Sequence, residues 1–306
     1  MSIQTLVEKI KEKGNPTVAG LDARLEYIPQ HISGRNMMLH GETLRAAAES
    51  VVAFNCGLID ALCDIVPAVK PQAAYYELLG SYGAMALKET IDYAHAKGMY
   101  VIGDIKRNDI GATATAYAEA YLGKTRVGDT EIAPYGCDSV TVNGYLGTDG
   151  VEPFLKECRS REKSLFMLVK TSNPSSGEFQ DRLIDGKPLY EHVAAKVVEW
   201  GEMSMDGNYS NVGAVVGATY PEMSAVLRKL MPKTYFLVPG YGAQGGTAKD
   251  LRHCFNEDGL GAVVNSSRGI IAAYRQEKYA KFGAEHFAEA SRQAVIDMVA
   301  DINSVL

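Results

Sequence analysis

Short runs dominated by Val, Ile, Leu and Ala recur along the chain at 17–22 (TVAGLD), 65–70 (IVPAVK), 100–106 (YVIGDIK), 139–143 (SVTVN), 165–172 (LFMLVKTS), 213–219 (GAVVGAT), 234–240 (TYFLVPG) and 262–267 (AVVNSS). Stretches of helical period lie between most of them, at 41–63, 84–97, 113–122 and 190–202. A last stripe over 284–306 carries Phe287, Ala290, Ala294, Val295, Met298 and Ile302 on one face. Apolar strands that alternate with helices predict a parallel sheet covered by helices. Eight such units in 306 residues predict an α/β chain folded as a (β/α)₈ TIM barrel. An open doubly wound sheet would more often carry a glycine fingerprint after its first strand. Here that strand ends in Gly20-Leu21-Asp22-Ala23-Arg24. No linker or shift of composition divides the chain, so residues 1–306 are expected to form one barrel domain. Two strand-to-helix segments, 24–40 and 173–188, look like insertions at the face where barrels carry their chemistry. There they are either surface decoration or lids, and the lid role suits 173–188 better because it follows a polar strand end directly.

The polar positions are more informative than the apolar ones. The first strand ends in Asp22, the second in Lys70, and the third in Asp104 and Lys106. The fifth ends in Lys170, Thr171 and Ser172, the seventh runs into Gln244, and the eighth into Ser266, Ser267 and Arg268. A single charged residue at a strand end is usually a solvated cap. Charges at most strand ends of one barrel point instead to a functional rim, because an unpaired charge inside a barrel is costly.

Strand side chains alternate, so Asp104 and Lys106 are expected on one side, with Ile105 turned to the helix layer. Lys70 on the neighbouring strand can reach Asp104, and Asp109 follows where the chain turns toward the next helix. The expected result is an alternating cluster of Lys70, Asp104, Lys106 and Asp109. A lysine between carboxylates is held in its charged form. It therefore suits a proton donor rather than a Schiff-base nucleophile. The structural alternative is a buried ion network that only holds the barrel mouth together. A second constellation joins the glycine-rich run Pro239 to Gly246 with Asn265-Ser266-Ser267-Arg268-Gly269. Turns after the last two strands form the usual phosphate site of such barrels, and Arg268 offers a planar fork for it.

Composition narrows the setting. The chain is 46% hydrophobic and 22% charged, with a net charge of −6, which argues against a broad surface for nucleic acid or anionic membrane. Five scattered cysteines without a C-x-x-C pair are expected to be reduced thiols in the cytoplasm. The six histidines stand apart from one another, and no metal-ligand cluster is evident. Residues 1–16 read as a short amphipathic helix without the apolar core of a signal peptide, and no run is long enough to span a bilayer.

The run Asp104-Ile105-Lys106-Arg107-Asn108-Asp109-Ile110-Gly111-Ala112-Thr113 closely resembles the D-x-K-x-x-D-I-x-x-T signature of orotidine 5′-phosphate decarboxylases, and the chain length and Lys-Arg pair resemble their longer bacterial branch. The resemblance extends over Gly20-Leu21-Asp22, Lys70, Ser172-Asn173-Pro174, Pro239 to Gly246 and Ser267-Arg268. It implies decarboxylation of a nucleotide, orotidine monophosphate, to UMP without metal or cofactor. Lys106 is then the acid that protonates C6 as carbon dioxide leaves. Asp104 sits against the substrate carboxylate, and Lys70 bridges it to the ribose. Asp22 accepts a ribose hydroxyl, Ser172 reads the pyrimidine edge, and Gln244 and Arg268 hold the phosphate. Asp109 and Thr113 are implied to reach the ribose of a neighbouring subunit, which makes the expected assembly a homodimer with shared active sites. The fourth strand departs from the pattern. It ends in Thr141-Val142-Asn143, where many members carry a histidine near the asparagine. That departure bears on interface contacts and leaves the charged cluster complete.

Two other readings stay open at the level of sequence. Sugar-phosphate decarboxylases and aldolases of related barrels share the D-x-K pattern but bind Mg²⁺ through further carboxylates. Lys70 is followed here by Pro71 and Gln72, with Glu77 some distance on. A catalytically silent phosphate-binding barrel is the other reading, and it is expected to have lost part of the four-residue charge set.

Overall fold

The computed structural model describes residues 1–242 and 246–306. Among them, eight parallel strands close into a barrel: β1 (Thr17–Leu21), β2 (Ala68–Pro71), β3 (Tyr100–Arg107), β4 (Ser139–Val142), β5 (Ser164–Lys170), β6 (Tyr209–Val216), β7 (Thr234–Val238) and β8 (Ala262–Ser266). Each strand pairs with the next in sequence, and β8 pairs with β1 to complete the ring. Helices between the strands form the outer layer, as the periodicity predicts.

Where strand limits differ from expectation, backbone hydrogen bonding explains it. The second strand was expected from 65, but the N–H groups of Ile65 and Val66 still donate to Leu62 O at the preceding helix end. Pro67 has no N–H to offer, and pairing begins at Ala68. The sixth strand starts at Tyr209, earlier than expected, because Met205 and Asp206 fold back antiparallel onto Ser210 and Tyr209. It ends at Val216, whose parallel pairing with Lys170 is closed by the Gly217 N–H donating to Lys170 O. An exposed hairpin at Thr125–Val127 and Thr130–Ile132 was not expected, since its short strands lack an apolar alternation.

Alternation inside the barrel sets up the site. Val18, Ala68, Tyr100, Ile102, Phe166 and Val263 share one buried cluster with Ile3, Leu6, Val7 and Ile10 of the helix Ile3–Lys13. That helix seals the N-terminal end of the barrel. Further along four of these strands, the same inward row turns polar. Val18 leads through Gly20 to Asp22, Ala68 to Lys70 and Gln72, Ile102 to Asp104, and Val263 to Asn265 and Ser267. The intervening residues face the helices and form the larger core, which includes Leu21, Val69, Val101 and Val264. One periodic pattern thus fills the closed end with hydrocarbon and delivers charge to the open end.

The two insertions are structured. Segment 24–40 forms a short turn at Leu25–Tyr27 and the helix Gln30–His40. Segment 173–188 contains a turn at Pro174–Glu178 and a two-residue pairing of Leu183–Ile184 with Lys187–Pro188. Lys170, only 1% exposed, ties this segment to β5, donating to Asp181 Oδ1 at 2.7 Å and Ser176 Oγ at 3.2 Å. Among the described residues no helix is long and apolar enough to cross a membrane.

Candidate active site

A cavity of about 340 Å³ opens at the C-terminal end of the barrel. That volume lies within the range of about 300–1,000 Å³ usual for small-ligand sites. Its walls include Asp22, Lys70, Gln72 and Asp104 from the ends of β1 to β3, and Gly240, Asn265, Ser267 and Arg268 from the ends of β7 and β8. Arg24 and Tyr27 reach it from the first insertion.

Asp104 is the hub. Its carboxylate is 6% exposed and accepts from four donors. Lys70 Nζ at 2.6 Å and Gln72 Nε2 at 2.9 Å bind Oδ2, while Thr141 Oγ1 at 2.9 Å and the Lys106 ammonium bind Oδ1. Two carboxylate oxygens offer about four lone-pair sites, so Asp104 is saturated. Burial opposes ionisation of Asp104, but Lys70 and Lys106 outweigh it and hold the carboxyl far below the usual range. Burial likewise opposes the charge on Lys70, and Asp104 and Asp22 more than offset it, raising the ammonium's pKa. Asp22 lies 4.0 Å from Lys70 Nζ. Its Oδ1 is buried and has no hydrogen-bond partner among the described residues, so it is poised to accept from a ligand hydroxyl. Gly20 leaves room for Ser267 and Asn265 at the cavity wall, because a Cβ there would stand 2.0 Å from Ser267 Oγ.

Asp104 and Lys106 do share a side, but not through regular alternation. Lys106 has φ of 49°, the left-handed region. The pairing of β3 with β4 slips there, from Gly103 opposite Val140 to Arg107 opposite Val142. Four steps along β3 are matched by two along β4, which makes a bulge. At the bulge Lys106 is not part of the cavity wall; its side chain is 46% exposed and reaches the site through its pairing with Asp104.

The expected alternation of four charges closes within one chain around three of them. Lys70, Asp104 and Lys106 meet, whereas Asp109 forms no ion pair with either lysine. Its Oδ1 instead accepts the N–H of Ile110 at 2.8 Å, just before the helix Gly111–Tyr121. Thr113 stands exposed on the first turn of that helix, outside the cavity wall. Ser172 is half-buried past the end of β5, packed against Gly217, and also outside that wall. Arg268 is exposed and lines the cavity. Gln244 lies outside the described residues.

Sequence reasoning missed Gln72 and Thr141 as partners of Asp104. Gln72 carried a signal, since it lies two positions beyond Lys70 on the same strand face. Thr141 carried none, because a threonine in a strand has a dozen neutral explanations and its partner is set by the bulge. Among the described residues, no three His, Cys, Asp or Glu side chains gather as a metal site.

Known proteins resemble this chain in sequence and in fold. The sequence model of the orotidine 5′-phosphate decarboxylase / HUMPS family matches residues 51–282. An orotidine 5′-phosphate decarboxylase of Rhodopirellula baltica is 46% identical over 291 residues, 94% of each chain. One from Caldicellulosiruptor bescii is 41% identical over 279 residues, 90% of this chain and 91% of the other. The solved OMP decarboxylase of Leishmania donovani superposes over 100% of this chain and 99% of its own, with a TM-score of 0.75 and 30% identity. The chain belongs to the orotidine 5′-phosphate decarboxylase / HUMPS family.

Proposed function

We propose that this protein decarboxylates orotidine 5′-phosphate to UMP and carbon dioxide, with Lys106 as the proton donor. The observation that carries the reading is the triad Lys70–Asp104–Lys106: Lys70 and Asp104 line the same cavity as Arg268, and the Lys106 ammonium, outside that wall, pairs with Asp104. When the bond from C6 to the carboxylate breaks, its electron pair stays on C6 and neutral carbon dioxide departs. An ammonium beside that carbon stabilises the developing charge and then transfers a proton to it. The neutral amine of Lys106 regains its proton from solvent.

The remaining roles follow the cavity walls. Asp22, with its unpartnered oxygen, takes a ribose hydroxyl, and Lys70 spans Asp22 and Asp104 on the ribose side. Arg268 takes the phosphate together with Gln244, and phosphate binding far from C6 supplies energy for orienting the reacting carbon. Ser172 meets the pyrimidine edge. Five unpaired cysteines, three of them buried, suit a cytoplasmic enzyme.

The test is the absorbance change of orotidine 5′-phosphate in the presence and absence of EDTA. Turnover is expected in both conditions. Absence of turnover, or a strict need for Mg²⁺, would replace this reading with that of a silent or magnesium-dependent relative.

Asp109, unpaired with the lysines of its own chain and bonded to the Ile110 N–H, and the exposed Thr113 support a homodimer in which they serve the partner's ribose. Asp104→Asn and Asp109→Asn proteins are each expected to be inactive. Subunit exchange between them should restore activity, because a hybrid dimer holds one intact site. No recovery, with exchange demonstrated, would remove Asp109 from a shared site.

A further inference from the structure

Thr141 sits on β4, 1% exposed, at the point where pairing with β3 slips. In a regular strand, successive N–H groups point to opposite sides. At the bulge, the N–H groups of Ile105 and Lys106 point the same way, and both donate to Thr141 Oγ1 at 3.0 Å. Two converging backbone N–H groups form a small electropositive nest, and the occupant here is a side-chain hydroxyl.

A threonine hydroxyl has one proton and two lone pairs. Both lone pairs are engaged by the two N–H groups, so the proton has one direction left, toward Asp104 Oδ1 at 2.9 Å. One side chain therefore fixes three things together. It holds the left-handed backbone of Lys106, a conformation costing about 1–2 kcal/mol for a residue with a Cβ. It satisfies two donors, one buried and one partly buried, that the slipped ladder leaves without a strand partner. It also orients the carboxylate oxygen that the Lys106 ammonium shares.

We propose that Thr141 is a positioning residue for the proton-transfer step, setting Lys106 and Asp104 relative to each other without touching substrate. This rests on the assignment of Lys106 as the acid. Valine matches threonine in shape and lacks the hydroxyl, so Thr141→Val strands two N–H groups and takes one donor from Asp104. Serine keeps the hydroxyl.

The experiment measures kcat, KM and the pH profile of kcat for wild type, Thr141→Val and Thr141→Ser with orotidine 5′-phosphate, beside crystal structures of both variants. Thr141→Val is expected to lose about 10²-fold in kcat, the scale of a misplacement near 1 Å. KM should change far less, because the phosphate and ribose contacts lie elsewhere, and the pH profile should move. Thr141→Ser is expected to restore the wild-type rate and profile to within about tenfold. In the crystals, Thr141→Ser should keep the left-handed Lys106 and its pairing with Asp104, and Thr141→Val should displace them. A folded Thr141→Val protein with wild-type kcat and pH profile, or a Thr141→Ser protein as impaired as the valine form, overturns the proposal. Wild type inactive on this substrate refutes the assignment of the reaction instead. The crystal comparison then still decides whether Thr141 holds Lys106.

Discussion

Asp104→Ala is expected to destabilise the fold by about 3–5 kcal/mol, the cost of leaving a buried charge without its partner. The charge in question is Lys70, which is 4% exposed and has Asp104 at 2.6 Å and Asp22 only at 4.0 Å. Lys106 loses the same partner but is half-exposed and can turn to water. The opposite truncation is not its mirror image. Lys70→Met keeps most of the side-chain volume and leaves Asp104 with three donors, Gln72, Thr141 and Lys106. Its expected cost is about 1.5–3 kcal/mol, the worth of one hydrogen bond to a charged group. Urea unfolding of the two variants beside wild type gives both numbers. Equal losses, or a larger loss for Lys70→Met, would mean that Lys70 is solvated more freely than its burial implies.

The asymmetry matters for function because the triad is built on the barrel's own inward row. The positions that carry Val18, Ala68 and Ile102 at the sealed end carry Asp22, Lys70 and Asp104 at the open end. Stability and chemistry thus draw on one set of strands. The hydrocarbon end holds the strands in register, and the polar end spends part of that stability on concentrated charge.

This division also explains what could be read from the sequence. The barrel was legible because each strand is apolar on both faces, and the charged residues were legible because they interrupt that pattern at the strand ends. The pairing of Lys70 with Asp104 followed from strand neighbourhood alone. Less visible was everything that depends on broken regularity. Simple alternation put Asp104 and Lys106 on one side, but the structure achieves this through a left-handed Lys106 and a two-residue slip against β4. No residue in the run Gly103 to Arg107 announces a bulge there. Thr141 is consequently visible only in three dimensions. Asp109 marks a different limit. Its carboxylate closes a local turn within its own chain, and its expected role requires a second chain, which no pattern within one barrel can position.

Lys106 has the largest expected effect on turnover. Lys106→Ala removes two contributions at once. A preorganised charge facing the carbanion is worth about 10²–10³ in rate, and a positioned general acid about 10²–10⁴. Together they set a loss of at least about 10⁴-fold in kcat, with KM changed far less, because the losses are confined to the transition state. The fold should survive, since Lys106 is half-exposed and Asp104 keeps Lys70, Gln72 and Thr141 as donors.

The direct test of a proton-donating amine at the barrel mouth is therefore kcat of folded Lys106→Ala on saturating orotidine 5′-phosphate, measured beside wild type. Residual turnover lower by four orders of magnitude or more, about the product of the two lost contributions, is the predicted result. Turnover close to wild type would contradict the account, because the proton on C6 would then come from some other group.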